Sequence, residues 1–420
     1  MPHAWFRYSL FTFIVACPLA VGEDWRQILG PARDGIVRET GLNLDWKAKP
    51  PKILWKVPLG NAYSSVAIVG DRLFTMAKSG QRDIALCLDA QTGKELWSFD
   101  AVPSYIDVQK QGAGPRATPT YHQGKLYCLF GRGELLCLTE KGKKVWQRNM
   151  FQETGARSGE GEFYYWGVSQ SPLVEGDLVI VQPGGSNNNS VAAFHKDTGK
   201  LLWTAGDDPM GYASPIAITA AGSRQVVVPT GQAILGIDPV KGKILWRYPF
   251  GNKFNVTCAI PVWSDNLLFV SAAYGGGCAA LEIVPPVSKE GNWSVREKWT
   301  NKNKLQNLMA TSMIVDGHIY GCHGDLAAFF LRCLDQKTGE VKWEKRVPGR
   351  YSFLALDRHI LCWHERGSLT LIEASPAEYR VKGELPKLLT YKSWAMPAFA
   401  NGKLYLRDER NLLCLDLRKD

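Results

Sequence analysis

The ten cysteines of this sequence include no Cys-Cys pair, no CxxC and no CxxCH. That removes a vicinal disulfide, a thioredoxin-type redox motif and covalent haem attachment. A Lys/Arg-rich run is also missing. The densest basic clusters are Lys143-Lys144 and Lys302 with Lys304, and acidic residues lie between them. The net charge of +10 is therefore dispersed over a surface and does not mark a nucleic-acid site. No hydrophobic stretch reaches the roughly 20 residues that span a bilayer. There is no HExxH and no recognisable Ser-His-Asp arrangement. Gly184-Gly185-Ser186 reads as a turn, since no helix start follows it to hold a phosphate.

What is present points to β structure. The chain has 420 residues, 45% hydrophobic and 21% charged, with 15 Trp, 41 Gly and 23 Pro. That composition supports a sizeable core and many short strands joined by turns. The first 22 residues read as an export signal: Arg7 in a short basic region, an apolar run from Tyr8 to Val21, and small residues at Ala20 and Gly22 ahead of a cleavage point before Glu23. Ile14-Val15-Ala16-Cys17 also fits a lipoprotein signal, with Cys17 as the lipidated residue. The sequence thus predicts a protein exported to the periplasm or cell envelope. Its only membrane contact would be a lipid anchor at Cys17.

Internal repetition organises the rest. Leu88-Asp-Ala-Gln-Thr-Gly-Lys-Glu-Leu-Trp97 recurs at Phe194–Trp203, Ile237–Trp246 and Leu334–Trp343, and in shortened form at Leu138–Trp146. In all five copies a glycine precedes the tryptophan by four residues. The anchors at positions 89, 139, 195, 238, 282, 335, 373 and 416 are spaced 38 to 56 residues apart, the period of four-stranded propeller blades. Asp89, Asp238 and Asp335 are read as turn residues that accept backbone N–H bonds. Trp97, Trp146, Trp203, Trp246 and Trp343 are read as fillers between blades. Cys87, Cys137, Cys333 and Cys414 lie two residues before an anchor and read as core fillers. Whether Cys258 and Cys278 pair is left open. The first outer strand, Lys52 to Val57, has a Trp but no anchor before it. Pairing residues 53–57 with 412–417 closes the ring, so the expected fold is an all-β eight-bladed β-propeller over residues 51–420. Residues 23–50 are expected to wrap on its outside.

The xDxxTGxxxW repeat resembles that of the pyrroloquinoline quinone (PQQ)-like propeller proteins, over almost all of residues 50–420. Residues 24–35, DWRQILGPARDG, resemble a segment that opens many exported propellers of this type in planctomycete-type bacteria. The resemblance implies two kinds of relative: BamB-type scaffolds of the envelope, and PQQ-dependent dehydrogenases of alcohols or sugars. The dehydrogenases usually carry a vicinal disulfide, a Ca²⁺ held by a carboxylate and an amide, an Asp base and a Trp floor. This chain departs from them in having no Cys-Cys pair and no haem domain.

A ligand site is expected at the axis, on the loops leading into the innermost strands. The candidates are Arg116, to hold an anionic or carbonyl group; Trp166 and Tyr212, to stack on it; and Gln170, Ser214, Asn255 and Asn307, to orient it by hydrogen bonds. The 147–167 stretch reads as a lid over this mouth or as an ornament beside it. Asp207-Asp208 is the one acidic pair in these loops, too few oxygens for a Ca²⁺ site by itself. The favoured function is a non-catalytic binding or scaffold protein with no cofactor, which engages an envelope protein or a small polar ligand at the axis. The alternative is a PQQ- and Ca²⁺-dependent dehydrogenase.

Overall fold

Each blade places strongly apolar strands inside and a mixed strand outside. In the first blade, Ala85, Leu86, Cys87 and Leu88 of the third strand (Arg82–Asp89) are all buried, whereas the outer strand (Glu95–Pro103) alternates exposed and half-buried positions. Neighbouring blades cover both faces of the inner strands, so these lose the polar alternation of a half-exposed sheet. A computed structural model describes residues 22–107, 109–156, 165–288, 291–325 and 328–419. Among these residues it shows eight four-stranded antiparallel blades in a closed ring, with a single short helix, Met150–Thr154. We number the blades 1 to 8 from the inner strands Ala67–Val69, Thr120–His122, Leu173–Glu175, Ile216–Ala220, Val262–Ser264, Met313–Val315, Tyr351–Leu356 and Ala398–Ala400. Lys52–Pro58 supplies the outer strand of blade 8 and pairs antiparallel with Asn411–Asp416, with Trp55 opposite Cys414. Ring closure through the two ends of the chain leaves no blade with an unpaired partner.

The repeat motif locks adjacent blades. Asp89 Oδ1 accepts from the N–H groups of Gln91 (3.0 Å) and Thr92 (2.8 Å), and Asp335 and Asp238 make the equivalent turns. The Trp97 indole donates to the Glu140 carbonyl of the next blade at 3.1 Å. Trp146 reaches Lys196 (2.9 Å), Trp203 reaches Pro239 (3.0 Å) and Trp343 reaches Ser375 (2.8 Å) in the same way. Gly142 has φ +76°, and a Cβ there would lie 2.7 Å from the Trp97 ring; Gly199 and Gly242 meet Trp146 and Trp203 at the same distance. The motif glycine is thus needed twice, for its positive φ and as the seat of the preceding blade's indole. Trp246 is the exception. Its indole bonds Gln225 of its own blade at 2.7 Å, and a Cβ on Gly291 of the blade 5 turn would meet Pro286 and Ser288, not this ring.

The first part of the extension departs from the expected outside course, while Trp46 packs on Gly383 of the outer strand of blade 7. Residues 25–37 enter the central channel. Trp25 bridges Ile68 of blade 1, the Tyr121 N–H of blade 2 donates to the Arg26 carbonyl, and Ile36–Val37 adds a parallel fifth strand to the inner edge of blade 7. Trp25, Ile28 and Leu29 are buried there, and so is Arg33. The reason is packing: eight inner strands leave an axial gap, and this segment's apolar side chains fill it instead of remaining in water. Residues 39–50 then cross to blades 7 and 8, where Asn43 N–H donates to the Leu417 carbonyl and Trp46 is buried. Cys17, the rest of the expected signal before Gly22, and residues 157–164 of the expected lid lie outside the described residues. Among the described residues no helix is long and apolar enough to cross a membrane. Cys258 and Cys278 are free thiols.

Candidate functional site

The chain runs extended into each inner strand, so alternate residues face the axis. One position in this run joins blade to blade. Ser65 N–H donates to Thr118 Oγ1 (3.1 Å), Thr118 N–H to Ser171 Oγ (2.8 Å) and Ser171 N–H to Ser214 Oγ (2.8 Å). Across blades 5 and 6, Ile260 N–H donates to Thr311 Oγ1 at 3.1 Å. The same position holds Ser352 in blade 7 and Met396 in blade 8. Two residues earlier come Tyr63, Arg116, Ser169, Tyr212, Cys258, Met309, Arg350 and Trp394, and all eight line one axial cavity of about 290 Å³. Ile28 of the channel segment also lines it, with Trp166, Tyr274, Val256, Leu308 and Met396.

The walls are largely aromatic and apolar, with two guanidinium groups, the Gln111 amide and the hydroxyls of Thr118, Ser169, Ser171 and Ser214. Trp166 meets Tyr212 edge-on, ring centroids 5.4 Å apart, and Tyr63 lies 5.0 Å from Trp394. Arg116 stacks over Tyr63 at 5.1 Å, bonds the Trp166 carbonyl through Nε at 3.2 Å and pairs with Asp107 at 2.7 Å. Arg350 pairs with Glu365 at 3.1 Å and donates to the Asp325 carbonyl at 2.7 Å. Its Nε is buried with no hydrogen-bond partner among the described residues. Burial raises the phenols of Tyr63 and Tyr212 well above the usual range and pushes the Cys258 thiol up to about 12. The cavity therefore offers neutral hydroxyls and a neutral thiol at physiological pH.

Four of the seven expected site residues, Arg116, Trp166, Tyr212 and Ser214, line this cavity, while Gln170, Asn255 and Asn307 do not. The Gln170 amide is fully buried and exchanges two bonds with the Gln182 backbone, at 2.7 and 2.8 Å. Asn307 is likewise buried and ties its own loop to the Ala310 carbonyl and Ser312. Asn255 turns the chain at φ +57°. Buried backbone groups claim the Gln170 and Asn307 amides first, because leaving such groups unpaired is costly. Ser214 reaches the cavity, but its oxygen already accepts from blade 3. The Asp207-Asp208 pair is dispersed: Asp208 is held by Arg247 at 2.6 Å and Asp207 accepts from Asn188 N–H at 2.7 Å. Tyr63, Cys258, Met309, Arg350 and Trp394 were missed. Counting two residues back from the blade-joining position in every repeat finds them all.

A family model described as outer membrane protein assembly factor BamB matches residues 36–163 and 81–345. The chain belongs to this family. Among curated proteins it is similar to the dehydrogenase subunit of quinone alcohol dehydrogenase from Komagataeibacter europaeus, 28% identical over 287 residues, and to that from Acetobacter aceti, 35% identical over 289 residues. Each match covers 60% of this chain and spans 36% of the relative's length. Among solved structures it is similar to BamB from Moraxella catarrhalis, with TM-score 0.61, 16% identity and coverage of 88% of this chain and 98% of that one. Quinohemoprotein alcohol dehydrogenase from Comamonas testosteroni gives TM-score 0.65, 13% identity and coverage of 93% and 80%. At these identities the structures speak for the fold. BamB-type and dehydrogenase-type relatives both share it.

The described lining does not fit a Ca²⁺-bound quinone. It contains no Asp, Glu or Asn, and among the described residues no group of three or more His, Cys, Asp or Glu could hold a metal ion. Ca²⁺ needs six to eight oxygen ligands.

Proposed function

We propose that this protein is an exported, non-catalytic binding or scaffold propeller of the cell envelope, and that it engages its partner at the axial cavity. One observation carries the reading. All eight blades give a residue from the same register to a single cavity, and that lining is largely aromatic and apolar, with Arg116, Arg350, Gln111 and four serine and threonine hydroxyls but no carboxylate. Such walls suit the burial of an apolar or aromatic group. They supply no described group placed to take a proton at neutral pH: the arginines are cations and the thiol and phenols stay protonated. Arg116 and the open Arg350 Nε would meet a carbonyl or carboxylate of the bound group, with Trp166 and Tyr212 against its flat face. Gln170, Asn255 and Asn307 would support the loops. The description of the matched family, an assembly factor for outer-membrane proteins, supports an envelope role.

The names of the curated relatives favour the other reading, a PQQ-dependent dehydrogenase. A dye-linked oxidation assay with primary alcohols and sugars, run with added PQQ and CaCl₂, separates the two. The scaffold reading expects no dye reduction above background; turnover abolished by Trp166→Ala would replace it with the dehydrogenase. N-terminal sequencing of the mature protein tests export, with a start at Glu23 or a lipidated Cys17 expected.

A further inference from the structure

The blade-joining position does not carry the same side chain all round the ring, and the difference gives the cavity two unlike sides. In blades 2, 3 and 4 the position holds Thr118, Ser171 and Ser214, each at most 4% exposed, and all three line the cavity. In blades 5 and 8 it gives Ile260 and Met396 to the lining. Each of the three hydroxyl oxygens accepts a backbone N–H from the preceding blade, and none donates its own proton to a described acceptor. Ser65 of blade 1, by contrast, spends its proton on the Met396 carbonyl at 2.5 Å. A hydroxyl both donates and accepts, so three consecutive blades present uncommitted O–H donors. Neighbouring donors are close, because the residue that owns one hydroxyl bonds the next through its own N–H.

Two cations reinforce this arc. Arg116 spends Nε on the Trp166 carbonyl and Nη2 on Asp107, which leaves Nη1 without a described acceptor. Arg33 lies behind the hydroxyls and donates to the carbonyls of Pro172 and Pro215, the residues that follow Ser171 and Ser214. It is buried, and its described acceptors are all neutral oxygens. A row of free donors beside a buried cation with no counter-ion favours an anion. The wall from blades 5 and 6 is apolar, with Val256, Ile260, Leu308 and Met309. Ile28 lines the cavity and the rest of the channel segment fills the axis beyond it. A chain therefore cannot thread the ring here; the cavity takes an end.

We infer that the cavity captures a single carboxylate that ends an apolar or aromatic group of about one residue's size, either the C-terminus of a polypeptide or a free acid of that shape. The inference rests on reading the cavity as a binding site and names its ligand. The carboxylate meets Thr118, Ser171, Ser214 and Arg116, and the apolar body faces Val256, Leu308 and Met309. A cavity of about 290 Å³ suits a group of that size. An acid with carboxylates on several edges, such as PQQ, would press some of them against the apolar wall, where an unpaired charge is costly.

The test uses the full mature protein. Calorimetry compares 3-phenylpropionate with its amide and with 3-phenylpropylamine, and an acetylated Gly-Gly-Phe peptide with a free or an amidated C-terminus. Maleimide labelling of Cys258 reads cavity occupancy. Both free carboxylates should bind and slow Cys258 labelling, with the amides at least about tenfold weaker and the amine not bound. The Thr118→Val/Ser214→Ala variant should lose about tenfold or more for the acids and little for the amides; its melting temperature reports folding, and the wild-type series decides the matter if it does not fold. Tighter binding of the free peptide than of 3-phenylpropionate assigns the site to a chain terminus, and the reverse assigns it to a free acid. Equal affinity for acid and amide, no binding of either acid, binding that leaves Cys258 labelling unchanged, or full affinity in the folded variant would each overturn the inference. PQQ-supported dye reduction would instead overturn the binding-protein reading on which it rests.

Discussion

Replacing Arg33 tests whether the channel segment is a structural part of the ring. The side chain is 3% exposed and faces no carboxylate among the described residues; oxygen atoms surround it instead. It donates to the Pro215 carbonyl at 2.8 Å, to the Pro172 carbonyl, and more weakly to the Ser171 carbonyl at 3.4 Å and Thr120 Oγ1 at 3.3 Å, while Gln27 Oε1 accepts from its Nε at 2.8 Å. These acceptors come from blades 2 and 3 and the entry to blade 4, so one guanidinium fork joins three blades to the channel segment. Arg33→Met keeps the volume and removes every donor. Each carbonyl left without a partner costs about 1–3 kcal/mol, and relief from burying the cation returns part of that. A net loss of about 3 kcal/mol is expected. For a ring of this size, that lowers Tm by about 3–4 °C. Arg33→Lys recovers little, because a point cation cannot reach acceptors on several sides. Calorimetry gives the Tm, and amide exchange at Trp25 and Ile68, whose backbones bond each other at 2.8 and 2.9 Å, reports whether the segment has left the channel. A Tm within 1 °C of wild type with unchanged protection would refute the reasoning.

Three further expectations follow from the same geometry. Gly142→Ala places a methyl 2.7 Å from the Trp97 ring at φ +76°, and should cost about 2 kcal/mol or more in a urea melt; Gly124→Ala, at φ +79° with open space, should cost less. Burial raises the Asp83 carboxyl to about 6, so the native state holds the proton that the unfolded chain gives up near pH 4. Stability from this group therefore falls as pH rises from about 4 to 6, and Asp83→Asn should raise Tm at pH 8 and flatten that part of the profile. Cys258 is the described cysteine that is not fully buried, so one equivalent of maleimide should react first, slowly at pH 7 and faster toward pH 9, and Cys258→Ser should abolish that phase.

Much of the ring was legible because its determinants are local and repeated. Asp, Gly and Trp at fixed offsets form a turn and an interblade contact in the same way at each copy, and the anchor count implied the closing strand at Lys52–Pro58. The channel segment was not legible in this way. Its apolar residues, Trp25, Ile28 and Leu29, would look the same on an outer surface groove. Only the ring, assembled from residues hundreds of positions away, provides the carbonyls that hold Arg33. The candidate site was legible in part for a similar reason. Residue type pointed equally to Arg116 and Gln170, whereas strand register separates them: Ser169 and Ser171 face the cavity, and the amide between them is taken up by the Gln182 backbone.

The central claim, a binding cavity not built for quinone catalysis, is tested most directly by titrating the mature protein with PQQ in the presence of excess Ca²⁺ while following tryptophan fluorescence. Trp166 and Trp394 line the cavity, so a quinone held there would quench them. The account predicts no saturable quenching beyond the inner-filter effect and no PQQ retained on desalting. Stoichiometric retention of PQQ, dependent on Ca²⁺ and lost in Trp166→Ala, would contradict it.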